Sequence, residues 1–245
     1  MVALAARVDP GSASALMTQG FAPGPILLMG PPGAGKGTQS KILMVQWSVP
    51  QISTGDLLRR MQQDSEKSAT PLGVQMRQAM DAGHLIPNEL VQAIVLDRLR
   101  QPDTRRGYIL DGFPRTLPQA VWLDEQLGRQ KDGLPIIAVN ILVSYTKLLR
   151  RITGRRSCPT CGRIYNVYYC LPENETVCDM DGSTLVQRLD DTEEVFAERM
   201  RTYQEMTAPV VEHYHSVARF AEVDGDLPVG DITRAITDAI VRLRS

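Results

Sequence analysis

The chain of 245 residues contains no apolar run near the ~20 residues that a membrane-crossing helix needs. Its longest, Ile136 to Val143, is interrupted by Asn140. The expectation is a soluble protein without a membrane partner. An excess of either charge is also missing: the net charge of −1 gives no general attraction to nucleic acid or to an anionic surface. Aromatic residues are scarce at 5%, but 43% of the chain is hydrophobic, enough for one sizeable core with a small insertion. Cysteine is absent until residue 158, and all four copies fall between 158 and 178. The first two dozen residues, rich in Ala, Gly, Ser and Pro, lack both the Arg-rich amphipathic pattern and the long apolar core of targeting segments. They read as a disordered extension over residues 1–24.

What the sequence does contain is Gly30 to Gln39, Gly-Pro-Pro-Gly-Ala-Gly-Lys-Gly-Thr-Gln, directly after the apolar run Ile26 to Met29. A buried strand entering a glycine-rich turn that ends in lysine is a way to wrap a polyphosphate. Glycines let successive backbone N–H groups converge on phosphate oxygens without Cβ clashes. A helix starting near Lys36 aims its N-terminal dipole at the same anion, and Lys36 adds a full charge. The general phosphate-loop pattern puts Ser or Thr straight after the lysine to touch magnesium; here Gly37 intervenes before Thr38. Either Thr38 reaches a phosphate, or nucleotide oxygens and water hold the ion, which dehydrates reluctantly.

Four more β-rich runs read as buried strands: Val49 to Ile52, Tyr108 to Leu110, Ile136 to Leu142 and Phe220 to Val223. Helical-period segments such as Glu89 to Leu99 and Thr192 to Tyr203 separate them. This alternation implies an α/β fold with a mainly parallel sheet covered on both faces. Ligands then sit at the carboxyl ends of the strands, which places Gly30, Ser53, Asp111 and Asp224 around one crevice. Residues 53–87 read as helices without a strand, and the cysteine-bearing stretch 157–187 shows little helical period; both read as insertions. His213 and His215, at i,i+2, do not share a helix face and read as surface residues.

Cys158-Pro-Thr-Cys161 and Cys178-Asp-Met-Asp181 are separated by sixteen residues, the spacing of a zinc ribbon. Gly162 and Gly182 follow the two pairs, as a sharp metal knuckle requires. Asp181 occupies the fourth knuckle position and is preferred as ligand over Cys170, which would complete an all-thiolate set from outside both knuckles. A Cys158–Cys161 disulfide is the alternative in an oxidising compartment. Four protein ligands leave no open position, so such a zinc would be structural. The acids Glu173, Glu175, Asp179 and Asp181 speak against a nucleic-acid-binding ribbon.

These motifs, with Ile-Ser-Thr-Gly-Asp (52–56), Asp-Gly-Phe-Pro-Arg-Thr (111–116), Gly-Arg-Arg (154–156), Gln-Arg-Leu-Asp-Asp (187–191) and Tyr-Gln-Glu-Met-Thr-Ala-Pro (203–209), occur in the order seen in adenylate kinases. From about residue 25 to the C-terminus, the chain resembles the long-lid bacterial form with a zinc-binding lid. The resemblance implies a P-loop nucleoside triphosphate hydrolase-like core with a five-stranded parallel sheet. The core would span 25–52, 88–154 and 190–245, with a nucleoside-monophosphate-binding insertion at 53–87 and a lid at 155–189. It implies reversible conversion of ATP and AMP into two ADP, with magnesium on the triphosphate, structural zinc, and a cytoplasmic monomer that uses neither nucleic acid nor membrane.

By the same resemblance, Gly33, Ala34, Gly35, Lys36, Gly37 and Thr38 hold the ATP phosphates, with Arg155 and Arg151 beside them. Ile164, Tyr165 and the backbone at Leu227 match adenosine contacts. Arg59 and Arg115 hold the AMP phosphate, and Arg188 and Arg199 close on AMP and the transferring group. Gly112, Phe113 and Pro114 belong to that motif. Thr54 and Gln119 meet adenine, alongside the backbone of His84, Leu85 and Ile86. Asp111 anchors magnesium's water shell, and Asp190 and Asp191 offer carboxylates to the lid arginines. The catalytic set is therefore Lys36, Arg115, Arg155, Arg188, Arg199 and Asp111. The acceptor oxygen is already anionic, so no general base is needed; positioning and charge stabilisation must supply the catalysis. Thr54 favours AMP, since pyrimidine kinases of this family usually carry alanine there. The rivals are a phosphotransferase using GTP or another monophosphate, and a non-catalytic nucleotide-binding zinc protein.

Overall fold

The computed structural model describes residues 21–63, 70–128, 133–217 and 219–245. Most of the extension expected over 1–24 thus lies outside the described residues. Its last four residues do not: Phe21 packs its ring 6.2 Å from Trp47, and Gly24 already pairs in the sheet with Gly107.

Five parallel strands form the core sheet, in the order β2-β3-β1-β4-β7: β1 (Gly24–Met29), β2 (Gln51–Ser53), β3 (Gly107–Asp111), β4 (Ile137–Leu142) and β7 (Arg219–Asp224). Central β1 is buried along its whole length, which is why it reads as an uninterrupted apolar run. Its residues alternate between the two faces. Ile26 and Leu28 join Ile109, Val139 and Ile141 against α1 (Lys36–Trp47), α6 (Tyr145–Thr153) and α9 (Val229–Arg244). Leu27 and Met29 join Ile52, Leu110 and Ala138 against α4 (Asn88–Leu99), α5 (Leu117–Gly128) and α8 (Ala208–Val217). Ile232, Ile236 and Ile240 form an i,i+4 stripe that seats α9 on the first face. Each such buried side chain stabilises by about 1.5–3 kcal/mol.

Two segments stand apart from the sheet. Between β2 and α4 run α2 (Thr54–Gln63) and α3 (Pro71–Asp81). Between α6 and α7 (Glu193–Thr202) lies an antiparallel pair, β5 (Arg155–Ser157) and β6 (Ile164–Asn166), extended by bridges Ser157–Val186 and Val177–Thr184. The apolar cluster here is only Cys158, Tyr165, Cys178 and Leu185. A π-helical turn, Tyr203–Thr207, joins α7 to α8.

His213 departs from the surface position expected of it. It is half-buried, with Nε2 2.7 Å from Asp124 Oδ2, while Tyr214 Oη donates to Oδ1 of the same carboxylate at 3.2 Å. The trio clips α8 to α5.

Candidate functional site

The loop between β1 and α1 lies at the carboxyl edge of the sheet, between the neighbouring strands β3 and β4. Lys36 folds back so that Nζ donates to the carbonyls of Gly30 (2.7 Å) and Pro31 (3.0 Å). Desolvation pulls its pKa down to about 8; Asp111 opposes the fall, and Arg115 and Arg199 add to it. Arg151 braces the loop, donating to the carbonyls of Ala34 (3.3 Å) and Gly225 (2.8 Å). Gly37 has a steric reason to interrupt the usual pattern: a Cβ there would stand 3.3 Å from Asp111 Oδ2. The other constraint on that carboxylate is Gln51 Nε2, which donates to Oδ2 at 3.0 Å. Desolvation raises the Asp111 pKa, against the pull of Lys36 and Arg115. Asp111 is thus an acid beside the loop, bounded by Gly37 and Gln51. Thr38 is exposed beside it.

Two clefts meet here. One, of about 610 Å³, is lined by Thr54, Arg59, residues 83–86, Gln119 and Arg199, among others. The other, of about 620 Å³, runs from Gly30 and Lys36 past residues 112–115 to Tyr203 and Thr207. Gly83, Leu85, Gly112, Arg115 and Arg199 line both. Arg115 is fixed by its Nε bond to the Gly112 carbonyl (2.8 Å), and its own carbonyl accepts from Thr207 Oγ1 (2.9 Å). Arg199 Nη1 donates to Asp190 Oδ2 at 3.0 Å. Arg59 is held by Asp56 at 2.8 Å. Arg188 is half-buried, and desolvation followed by repulsion from Arg155 and Arg59 lowers its pKa to about 10. Arg199 falls to about 10 as well, chiefly through desolvation, with Asp190 opposing. So many cations in poorly hydrated positions make a prebuilt anion site.

At the far end of the first cleft, Thr54 Oγ1 donates to the Gly112 carbonyl at 2.9 Å, and Gln119 is buried with one face on the cleft. His84 lines the first cleft, and its Nε2 lies 3.3 Å from Glu198 Oε1. Sequence reasoning missed Gln51, Asn88 and Thr116. Each is an ordinary polar residue whose partner lies far along the chain or across an element, so no local pattern marks it. The π-helical turn lining the second cleft also went unread.

At the base of the second insertion, Arg155 Nε donates to Asp191 Oδ2 (2.8 Å), and Nη2 donates to Oδ1; Asp191 is fully buried. Farther out, the ligand atoms of Cys158, Cys161, Cys178 and Asp181 all lie within 4.8 Å of one another. Cys161 Sγ and Cys178 Sγ are 3.6 Å apart, too far for a disulfide. Zinc–thiolate bonds of about 2.3 Å in a tetrahedron set sulfurs about 3.8 Å apart. The two turns match: Gly162 N–H donates to the Cys158 carbonyl and Gly182 N–H to that of Cys178, both glycines at φ near +70°. All four cysteines are free; Cys170 lies outside the cluster, exposed, bridging to Asn166. The residues fit zinc. Lys41 of α1 reaches over to the first knuckle, Nζ donating to the Gly162 carbonyl at 2.9 Å.

Of the residues expected to contact donor adenosine, Ile164 is half-buried and Leu227 exposed. The Tyr165 side chain is 1% exposed and points into the second insertion, where Oη accepts from Asp179 N–H (2.9 Å) beside Cys178 Sγ (3.5 Å). There it packs with Cys158, Cys178 and Leu185, the small apolar cluster of this insertion. Of the two acids expected to meet lid arginines, Asp191 pairs with Arg155, whereas Asp190 pairs with Arg199 of α7, outside residues 155–189.

Comparison with known proteins agrees with this geometry. The family model for adenylate kinase matches residues 28–219. An adenylate kinase of Nitrosococcus oceani is 45% identical over 212 residues, 86% of this chain and 95% of the relative. That of Salinispora tropica is 42% identical over 215 residues (88% and 97%), and that of Archaeoglobus fulgidus 40% over 220 (90% and 99%). With the family model matching residues 28–219 and these relatives 40–45% identical over most of both chains, this chain belongs to the adenylate kinase family.

Proposed function

We propose that the chain transfers the terminal phosphoryl group of ATP to AMP, reversibly, giving two ADP. The observation that carries this is the pair of contiguous clefts meeting at Arg115 and Arg199, with the Lys36 loop on one side. Two phosphate termini, each near −1.5 to −2 in charge, must be brought together. Guanidinium groups suit this because they stay charged and grip phosphate bidentately. In this reading residues 33–38 cradle the donor phosphates, Arg151 bracing the loop. Lys36 leaves its two loop carbonyls for phosphate oxygens. Arg59 and Arg115 hold the AMP phosphate, Arg188 and Arg199 the group in transfer, and Arg155 the donor side. Thr54, Gln119, Gly112, Phe113, Pro114 and the backbone of residues 84–86 enclose AMP, while Ile164 and the backbones of Tyr165 and Leu227 face the donor. Magnesium, held through water by Asp111, would neutralise charge on the triphosphate. Closing residues 155–189 over the donor excludes water, which otherwise competes with AMP.

The Cys158, Cys161, Cys178 and Asp181 set would hold structural zinc in that lid. We take the chain to act as a monomer, and the thiols suit a reducing compartment such as the cytoplasm. The test is steady-state turnover with each triphosphate paired with each monophosphate, and with Arg115→Ala. ATP with AMP should be fastest, and Arg115→Ala should retain ATP binding while losing about 10²–10³-fold in kcat. Faster turnover with GTP or UMP would replace the substrate assignment, and full activity in the variant would remove Arg115 from the mechanism.

A further inference from the structure

Gln119 is 2% exposed, yet its amide lines the cleft assigned above to AMP. Its orientation is fixed from behind. The Arg115 backbone N–H lies 2.8 Å from Oε1, and only the oxygen end of the amide can accept it. On the other side Nε2 donates to Asn88 Oδ1 at 2.8 Å. That same Asn88 oxygen accepts from Thr116 Oγ1 at 3.1 Å, and Thr116 Oγ1 accepts from the Gln119 backbone N–H at 3.4 Å. Asn88, Thr116 and Gln119 therefore form a closed ring, joining the first residue of α4 to the first turn of α5. Asn88 does not itself line the cleft.

An amide has two N–H donors and two oxygen lone pairs. With one of each spent behind it, Gln119 has one N–H and one lone pair left for the cleft, in a fixed order. That order matches a 6-aminopurine, whose N1 accepts and whose amino group donates. A 6-oxopurine presents the reverse, a donor at N1 and an acceptor at C6. Meeting it would require the amide to rotate by half a turn. The oxygen would then face Asn88 Oδ1, and the amino group would face the Arg115 N–H, two contacts of like with like. Buried polar groups left unpaired in this way are what makes hydrogen-bonding pockets selective.

We propose that Asn88 is a positioning residue for base selection: by holding the Gln119 amide in one orientation, it makes the acceptor cleft prefer 6-amino over 6-oxo purine monophosphates. The proposal rests on the reading of that cleft as the AMP site. It is tested with AMP and inosine monophosphate as paired acceptors, ATP as donor, and the variants Asn88→Ala, Asn88→Asp, Gln119→Leu and the double variant Asn88→Ala/Gln119→Leu. Asn88→Ala should raise KM for AMP by about 3- to 10-fold, the worth of one hydrogen bond. It should lower the AMP-to-inosine preference by a similar factor and leave KM for ATP unchanged. Asn88→Asp keeps the acceptor and cannot offer a donor, so it should return the preference to that of the parent. In the Gln119→Leu background, Asn88→Ala should change the preference no further, because its effect runs through that amide.

A preference unmoved by Asn88→Ala, with only a lower melting temperature, would overturn the proposal while leaving the AMP site in place, provided Gln119→Leu still weakens AMP. An equal further loss in the double variant would also overturn it. If Gln119→Leu itself leaves KM for AMP and the preference intact, the assignment of Gln119 to adenine falls, and the proposal falls with it.

Discussion

Lys36 spends two of its three N–H donors on carbonyls of its own loop, in surroundings that bring its pKa to about 8. The ammonium form is the one that binds phosphate. Below about 8 it is already charged; above, the free protein must take up a proton before the site is complete. A polyphosphate, which favours the charged form, should therefore bind with proton uptake at alkaline pH and bind more weakly as pH rises past that value. Calorimetry of ATP binding in buffers of different ionisation enthalpy reads this directly. Affinity flat across that range, with no proton exchange, would contradict it. Lys36 was legible in the sequence because one strand–loop–helix pattern carries it, and the arginines because they fall in motifs that resemble those of adenylate kinases. The orientation of Gln119 was not, because Asn88 lies 31 positions away and is an unremarkable residue at a helix start.

At the scale of elements, the insertion at 155–189 has little apolar packing of its own and depends on particular groups. Its apolar cluster holds only four residues, two of them cysteines, too few to order the segment alone. Chelation at neutral pH should therefore unfold residues 155–189 before the core. Loss of amide protection confined to that segment, with β1 and β4 unchanged, is the expected hydrogen-exchange pattern. Protein that binds no zinc when freshly purified and reduced would refute the metal assignment. The base of the lid depends on Arg155 and Asp191, which come from its two flanks and of which Asp191 is fully buried. Breaking a buried pair by removing one partner costs about 3–5 kcal/mol. Arg155 keeps 15% exposure, so Asp191→Ala should fall at the low end, about 3 kcal/mol, a drop of about 6–12 °C in Tm for a chain of this size. An unchanged Tm would show that the pair adds nothing net to stability. That Cys158, Cys161 and Cys178 come together was readable from cysteine spacing, and the place of Asp181 from the second pair. The inward turn of Tyr165 was not, since its packing partners Cys178 and Leu185 lie well along the chain.

For the whole molecule, the alternation of apolar runs with helical periods foretold the five parallel strands and the crevice at their carboxyl ends, because a sheet buried on both faces needs continuous apolar strands. What it did not convey is that the crevice holds two clefts that share Arg115 and Arg199. That sharing underlies the central physical claim: two nucleotides bind end to end, with fixed guanidinium groups offsetting the repulsion between their phosphates. The most direct measurement is inhibition by a dinucleotide in which two adenosines are joined through five phosphates. The account predicts one molecule bound per chain, competing with both ATP and AMP, and weakened by Arg115→Ala. Competition with ATP alone, at an affinity indifferent to Arg115, would contradict it.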